Sequence, residues 1–201
     1  MKVIDCEQGS EAWSEIRLGM VTASRFSDVL AKGTGKTRKS YMVQLAGEIM
    51  EQKQMKTHFD KNMEAGQIKE PLAREYYEAL YGVTVEQVGF VELNDDVGCS
   101  PDGLIRSDGM LEIKCPLATT HIRYIEGGVL PPAYTAQVQG GLWVTGREWC
   151  DFMSFRPENR QRPHFIVRVS RDKEYIKELS IQVTMFVLEL KRLVEKFEPE
   201  F

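Results

Sequence analysis

Three residues in the middle of the chain have the types and spacing to hydrolyse a phosphodiester. Asp102 follows Pro101, nine residues intervene, and Glu112-Ile113-Lys114 completes the set. Arg106, Ser107, Asp108 and Gly109 lie between them and have the chemistry of a turn. Short polar side chains bond to nearby backbone there, and glycine accepts a positive φ. Leu104-Ile105 and Met110-Leu111 then become the facing strands of a hairpin. Side chains alternate faces along a strand, so Glu112 and Lys114 project to one side and Ile113 to the other. Asp102 reaches the same side from across the turn. Two carboxylates supply hard oxygen ligands for Mg²⁺, and the ammonium can position or deprotonate an attacking water.

The spacing is that of the PD-(D/E)xK signature, which is short enough to arise by chance on a solvated sheet face as an exposed Glu–Lys pair. The surrounding chain therefore has to decide. At 201 residues, with 42% hydrophobic and 28% charged residues, it is expected to form one soluble domain over 1–201. No apolar run reaches membrane-spanning length, and the first residues lack the apolar core of a signal peptide, so a cytoplasmic protein is expected. Cys6, Cys99, Cys115 and Cys150 are far apart and the three histidines are scattered, which argues against a structural zinc site or a disulfide framework. A net charge of −4 argues against nonspecific coating of DNA. It is compatible with admitting DNA at one place through two basic clusters, Lys32/Lys36/Arg38/Lys39 and Arg156/Arg160/Arg162/Arg168/Arg171.

The elements that must carry the central hairpin can be read from periodicity. After an irregular start, Glu11 to Leu18 is a short helix with Ser10 as N-cap and Gly19 as its stop, and Ser24 to Leu30 is a second. Gly33-Thr-Gly-Lys-Thr37 resembles the tail of a P-loop. It lacks the earlier glycine and the preceding strand, so nucleotide binding is rejected. Helices are expected over 39–52 and 64–80, the latter starting near Glu70 or kinked there because of Pro71, with a looser stretch over 55–63 between them. Residues 83–93 and 97–105 read as strands leading into the hairpin, and 118–130 as a connector. A helix over 133–145, strands over 148–155 and 164–169, and a long helix capped by Ser170 complete the chain. Helices before and after a mixed central β-sheet make an α/β fold.

Four stretches occur in order: Trp13–Ser24, Cys99–Gly103, Leu111–Pro116 and Tyr134–Gln139. With Trp143-Val-Thr145 after the last of them, the chain resembles the phage lambda exonuclease (YqaJ-like viral recombinase) family from about residue 7 onward. The resemblance implies a restriction-endonuclease-like core and a Mg²⁺ site, two ions per site with Mn²⁺ able to substitute. Asp102, Glu112, the carbonyl of Ile113 and the helix-borne Glu70 would hold the metal, and Lys114 would address the nucleophilic water. Arg17, Ser24, Ser100 and Gln137 would cradle a terminal 5′ phosphate, an arginine fork and neutral donors that do not compete for the metal. Lys36, Arg38 and Lys39 are placed on a DNA track, with Met63 as an apolar wedge at the duplex fork. The family digests double-stranded DNA ends 5′→3′ to leave 3′ overhangs. It works as a ring-shaped homotrimer with a single-strand annealing protein, encoded by phage or prophage in the bacterial cytoplasm. Two departures stand out: Ala65 replaces an aromatic residue, and Pro71 directly follows Glu70.

Simpler roles exist for several of these residues. Arg17 could pair with Glu11 or Glu15 at the surface, Gln137 could be a satisfied core amide, and Ser100 a turn hydroxyl. Trp13, Trp143 and Trp149 are expected to pack rather than stack on bases. Two rival functions also follow from the same residues, a PD-(D/E)xK endonuclease or structure-specific nuclease, and a DNA-end-binding module without turnover.

Overall fold

The computed structural model describes residues 1–32, 36–55 and 61–197, and the side chains of 61–67 are outside that description. In chain order the elements are β1 (Lys2–Ile4), α1 (Glu11–Ile16), β2 (Val21–Thr22), α2 (Phe26–Val29), α3 (Lys36–Glu51), α4 (Lys61–Tyr81), β3 (Val85–Glu86), β4 (Phe90–Asn94) and β5 (Val97–Cys99). There follow β6 (Gly103–Ile105), β7 (Gly109–Lys114), α5 (Ala118–Gly127), α6 (Thr135–Thr145), β8 (Trp149–Phe155), β9 (His164–Ser170) and α7 (Lys173–Glu195). Ser10 caps α1 by accepting from the Trp13 amide at 3.2 Å. Gly19 ends the turn after it with a φ of 71° and sits so close to α3 that a β-carbon would meet Ile49 Cγ1 at 2.5 Å.

The strands form two sheets where one was expected. One has the order β1-β4-β5-β2 and the other β3-β6-β7-β8-β9. The expected strand over 83–93 divides between them, because β3 pairs with β6 while β4 pairs with β1 and β5. The run over 97–105 divides likewise: β5 ends at Cys99 in the first sheet, and β6 begins at Gly103 in the second. Both sheets are mixed, through the parallel pairs β2/β5 and β7/β8.

The central strand β7 alternates with period two. Leu111 and Ile113 turn to a cluster with Ala73 and Tyr77 of α4, Ile105, Met153 and Phe155. Met110 turns the other way, into the larger core that draws on both sheets and on α2, α3, α6 and α7. Glu112 and Lys114 share that second face, under α6. This helix is buried on nearly every side, with Gly140 and Gly141 letting it approach Phe26 and Met110.

Several expectations are corrected. The stretch over 118–130 is a helix, α5, ended by Gly128 in the left-handed conformation rather than an irregular connector. The cap of α7 is Asp172, which accepts from the amides of Glu174 and Tyr175; Ser170 closes β9. The start of the chain is not wholly irregular, since Lys2–Ile4 pairs with β4. Helix α4 begins at Lys61 and runs through Pro71, which takes away the donor for the carbonyl four residues earlier. The P-loop-like stretch and the looser one over 55–63 fall largely on positions 33–35 and 56–60, outside the described residues.

Candidate active site

Strand alternation delivers Glu112 and Lys114 to one place. Glu112 is only 3% exposed, and its Oε1 lies 2.5 Å from Lys114 Nζ and accepts from Gln137 Nε2 at 2.5 Å. Asp102 comes from the chain that links the two sheets, and its Oδ2 accepts from the Ile113 amide at 2.6 Å. That amide is free to do so because β6 stops at Gly103, opposite Leu111. A residue's N–H and C=O point to the same edge of a strand, so the carbonyl of Ile113 faces the same open edge as Asp102. Glu70 arrives from α4 held by Arg74, whose Nη2 donates to Glu70 Oε1 at 2.9 Å and whose Nε donates to the Asp102 carbonyl at 3.0 Å. The Gln87 amide stands against Arg74, and turning its oxygen to face the guanidinium lets it accept from both Nη atoms at 2.5 and 3.0 Å.

The carboxylates are crowded. Burial, and then the charge of Glu112, push Asp102 well above the usual carboxylate range, against the opposing pull of Lys114. Burial also raises Glu70, with Arg74 opposing and Glu112 adding to the rise. Burial alone would lower Lys114, but Glu112 and Asp102 outweigh it and hold the ammonium protonated. Among the described residues no three His, Cys, Asp or Glu side chains stand close enough together to hold a metal ion. Lys114 occupies Glu112, and Arg74 occupies Glu70. The donor set nevertheless fits Mg²⁺: every ligand is oxygen, and a divalent cation offsets both the burial and the added repulsion that raise these carboxyls.

A cavity of about 210 Å³ opens beside this cluster, and Arg17, Ser24, Ser100, Gln137 and Glu112 all line it. Arg17 is the sole cation among its described lining residues. The guanidinium lies on the Trp13 ring, 3.8 Å from the centroid, and the Trp13 indole N–H donates to Ser100 Oγ at 2.8 Å. Arg17 has no ion pair among the described residues, so the pairing with Glu11 or Glu15 is not made, and its Nε is buried without an acceptor. Burial lowers its pKa, while Tyr41 and Glu48 oppose the shift. A buried donor left open on a cation costs stability unless a ligand meets it. Ser24 Oγ lies 3.3 Å from Thr22 Oγ1, and Gln137 bridges the cavity to Glu112.

The expected DNA track divides. Arg38 gives both Nη atoms to Glu189 of α7 at 2.7 and 3.0 Å and lies over the Phe186 ring, so its fork is occupied. Lys36 and Lys39 are exposed at the start of α3. The side chain of Met63 lies outside the described residues. Four contributors were missed. Trp13 is a cavity wall as well as a packing residue, Gln8 lines the cavity and donates to the carbonyls of Val88 and Pro101, and Tyr134 sets its ring 5.4 Å from Lys114 Nζ. Arg74 is the fourth, and its i,i+4 spacing from Glu70 was a signal available in the sequence.

Residues 12–148 match the YqaJ-like viral recombinase domain. The chain belongs to that family. Two crystal structures of the alkaline exonuclease LHK-Exo from Laribacter hongkongensis, one of them in complex with dAMP, are similar at 36% identity. Each covers 94% of this chain and 96% of that one, with TM-scores of 0.89 and 0.88. A phage-related exonuclease from Haemophilus somnus 129PT, at 17% identity and a TM-score of 0.70 over 89% of this chain and 96% of that one, shares the fold. The YqaJ-like family is thus one with exonuclease members, and its restriction-endonuclease-like arrangement of mixed sheets flanked by helices is the one found here. A search of the curated proteins gives no match. Among the described residues no helix is long and apolar enough to cross a membrane.

Proposed function

We propose that the protein is a Mg²⁺-dependent exonuclease that degrades the 5′-phosphorylated strand of double-stranded DNA ends in the 5′→3′ direction, releasing mononucleotides. One observation carries this reading: the cavity holding the partnerless Arg17 Nε is continuous with Glu112 through Gln137. A pocket with one cation and several neutral donors suits a terminal phosphate. Placed beside the carboxylates, it positions the next phosphodiester for cleavage. An endonuclease has no use for such a seat. The dAMP complex of LHK-Exo, a 36% identical relative, supports a mononucleotide product.

Asp102, Glu112, the Ile113 carbonyl and Glu70 would hold the metal, which when bound polarises the phosphoryl oxygen and supplies a water that deprotonates near neutral pH. Lys114, kept as an ammonium, donates to the attacking water or to the phosphoryl oxygen. Gln137 holds Glu112 by hydrogen bond, and Arg74 braces the Asp102 backbone and Glu70. On the strength of the family we extend the proposal to a ring-shaped homotrimer acting with a single-strand annealing protein, encoded by phage or prophage and working in the bacterial cytoplasm.

The test is a linear duplex with a 5′ phosphate on one strand only, incubated in Mg²⁺ and in EDTA beside a closed circle. Mg²⁺-dependent loss of the phosphorylated strand as mononucleotides is expected. Cutting of the circle, or equal loss of both strands, would refute the exonuclease reading.

A further inference from the structure

The loop joining β8 to β9, residues 156–163, carries Arg156, Arg160 and Arg162 against one acidic residue, Glu158. Nothing in the chemistry above uses it. Strand pairing sets its position: β8 runs parallel to β7 with Ser154 opposite Lys114. The chain therefore leaves β8 at the same sheet end at which β7 delivers the lysine. Three interactions fix the loop there. Arg156 Nη1 donates to the Pro116 carbonyl at 3.0 Å, Nε2 of the fully buried His121 meets the Arg162 carbonyl at 2.8 Å, and Lys69, next to Glu70, pairs with Glu158. Inside the loop the Asn159 amide donates to the Arg156 carbonyl at 3.0 Å, and the Arg162 amide donates to Asn159 Oδ1 at 3.2 Å. The segment is a preformed surface, which lowers the ordering cost of any ligand it meets.

Its charges are unevenly matched. Lys69 takes the only carboxylate, while Arg160 and Arg162 are exposed and make no salt bridge among the described residues. On a chain of net charge −4, two open guanidiniums anchored beside the catalytic strand form a local site for phosphate oxygens. Sheet order then decides which phosphates. Ser100 and Pro101 of the terminal-phosphate cavity precede β6, the basic loop follows β8, and β7 with Glu112 and Lys114 lies between them. We infer that Arg160 and Arg162 hold backbone phosphates of the duplex on the far side of the scissile bond from the 5′-phosphate pocket. This rests on the exonuclease reading above. Backbone-phosphate binding of this kind positions the substrate without reading its sequence.

The test compares the full chain with Arg160→Ala/Arg162→Ala and with the charge-retaining Arg160→Lys/Arg162→Lys. Affinity for a 5′-phosphorylated duplex is measured with Ca²⁺ in place of Mg²⁺ across a salt series. Each phosphate no longer neutralised by an arginine makes the slope of log K against log[salt] shallower by about 0.9, so the slope of the alanine pair should be shallower by about 1.8 and the lysine pair should keep the wild-type slope. Hydrolysis of a 5′-phosphorylated dinucleotide, too short to reach the loop, should run at the wild-type rate in the alanine pair. An unchanged slope overturns the inference. Loss of dinucleotide hydrolysis overturns it too, because the loop would then act on the reacting centre itself. Failure of the wild-type protein to release mononucleotides refutes the exonuclease reading instead, and the slope comparison, which needs no turnover, stays separately readable.

Discussion

Replacing Arg17 by alanine removes the sole cation among the described residues of the cavity and two interactions with it. One is the stacking on Trp13 at 3.8 Å, worth about 2 kcal/mol where the guanidinium is desolvated. The other is the proposed fork on the terminal phosphate. Hydrogen bonds to a charged group contribute about 1.5–3 kcal/mol, a factor of about 10 to 150 in affinity. A thermodynamic cycle separates them. Wild type and Arg17→Ala are each assayed on duplexes ending in a 5′ phosphate and in a 5′ hydroxyl, with single-turnover kcat/KM as the readout. The Trp13 interaction disappears equally with both ends and cancels; only the arginine–phosphate coupling survives. The wild type should prefer the phosphorylated end by about 10- to 150-fold, and Arg17→Ala by no more than a few-fold. If the variant is slower on both substrates but keeps the full preference, Arg17 holds the fold together and the phosphate lies elsewhere. Arg17→Lys sharpens the result, because an ammonium cannot reproduce the planar fork and should recover only part of the preference.

Lys114→Ala should lower the single-turnover rate by about 10²–10⁴-fold while DNA still binds in Ca²⁺, and a variant with full activity would remove Lys114 from the chemistry. Asp102 and Glu70 both titrate higher in the folded protein than in the unfolded chain, so the metal-free fold holds extra protons. Stability in EDTA should therefore fall as pH rises from about 4, the unfolded carboxylate range, through the raised folded values. Mg²⁺ binds the ionised groups, so its shift of Tm should be larger at about pH 8 than at about pH 5; an equal shift would disconnect these carboxyls from the metal. Gly98→Ala places a β-carbon 2.3 Å from Phe90 Cζ and 2.8 Å from the Val91 carbonyl. The overpacking should cost about 1–3 kcal/mol in urea denaturation, and an unchanged midpoint would mean that β4 and β5 can part without penalty.

The sequence was most legible where period and chemistry coincide. In β7 a single alternation assigns Ile113 to the α4 side and Glu112 and Lys114 to the α6 side, and the hairpin with β6 forms as expected, although Arg106 at a φ of 50°, not Gly109, takes the left-handed position of its turn. It was least legible where a partner distant in sequence decides. Nothing local in 83–93 announces that Val85 pairs with Ile105 while Val91 pairs with Val3 and Cys99. Helix α5 has two adjacent threonines and no capping side chain. Its anchor is the buried His121, which bonds to Ser154, 33 residues away. The four residues proposed to bind the terminal phosphate were placed by family resemblance, since Arg17 and Gln137 look locally like a surface cation and a core amide. The cavity that gathers them exists only after α1, α6 and the link between the sheets have packed.

That link has a consequence of its own. Cys99 ends β5 in one sheet and Gly103 begins β6 in the other, so the passage between these two strands is Ser100, Pro101 and Asp102 alone. Ser100 lines the cavity proposed to seat the DNA end, and Asp102 belongs to the carboxylate cluster proposed to cut. The two tasks are thus separated by about 7 Å of backbone at most, stiffened by a proline and pinned at both ends by hydrogen-bonded strands. Under the proposed function, the stride, how much polymer is removed per event, is set on this side by a covalent dimension of the chain and on the other by the packing of α1 and α6 around the cavity. On that reading, changes in the cavity should alter how tightly an end is gripped, whereas an insertion between Ser100 and Asp102 should move the grip relative to the carboxylates.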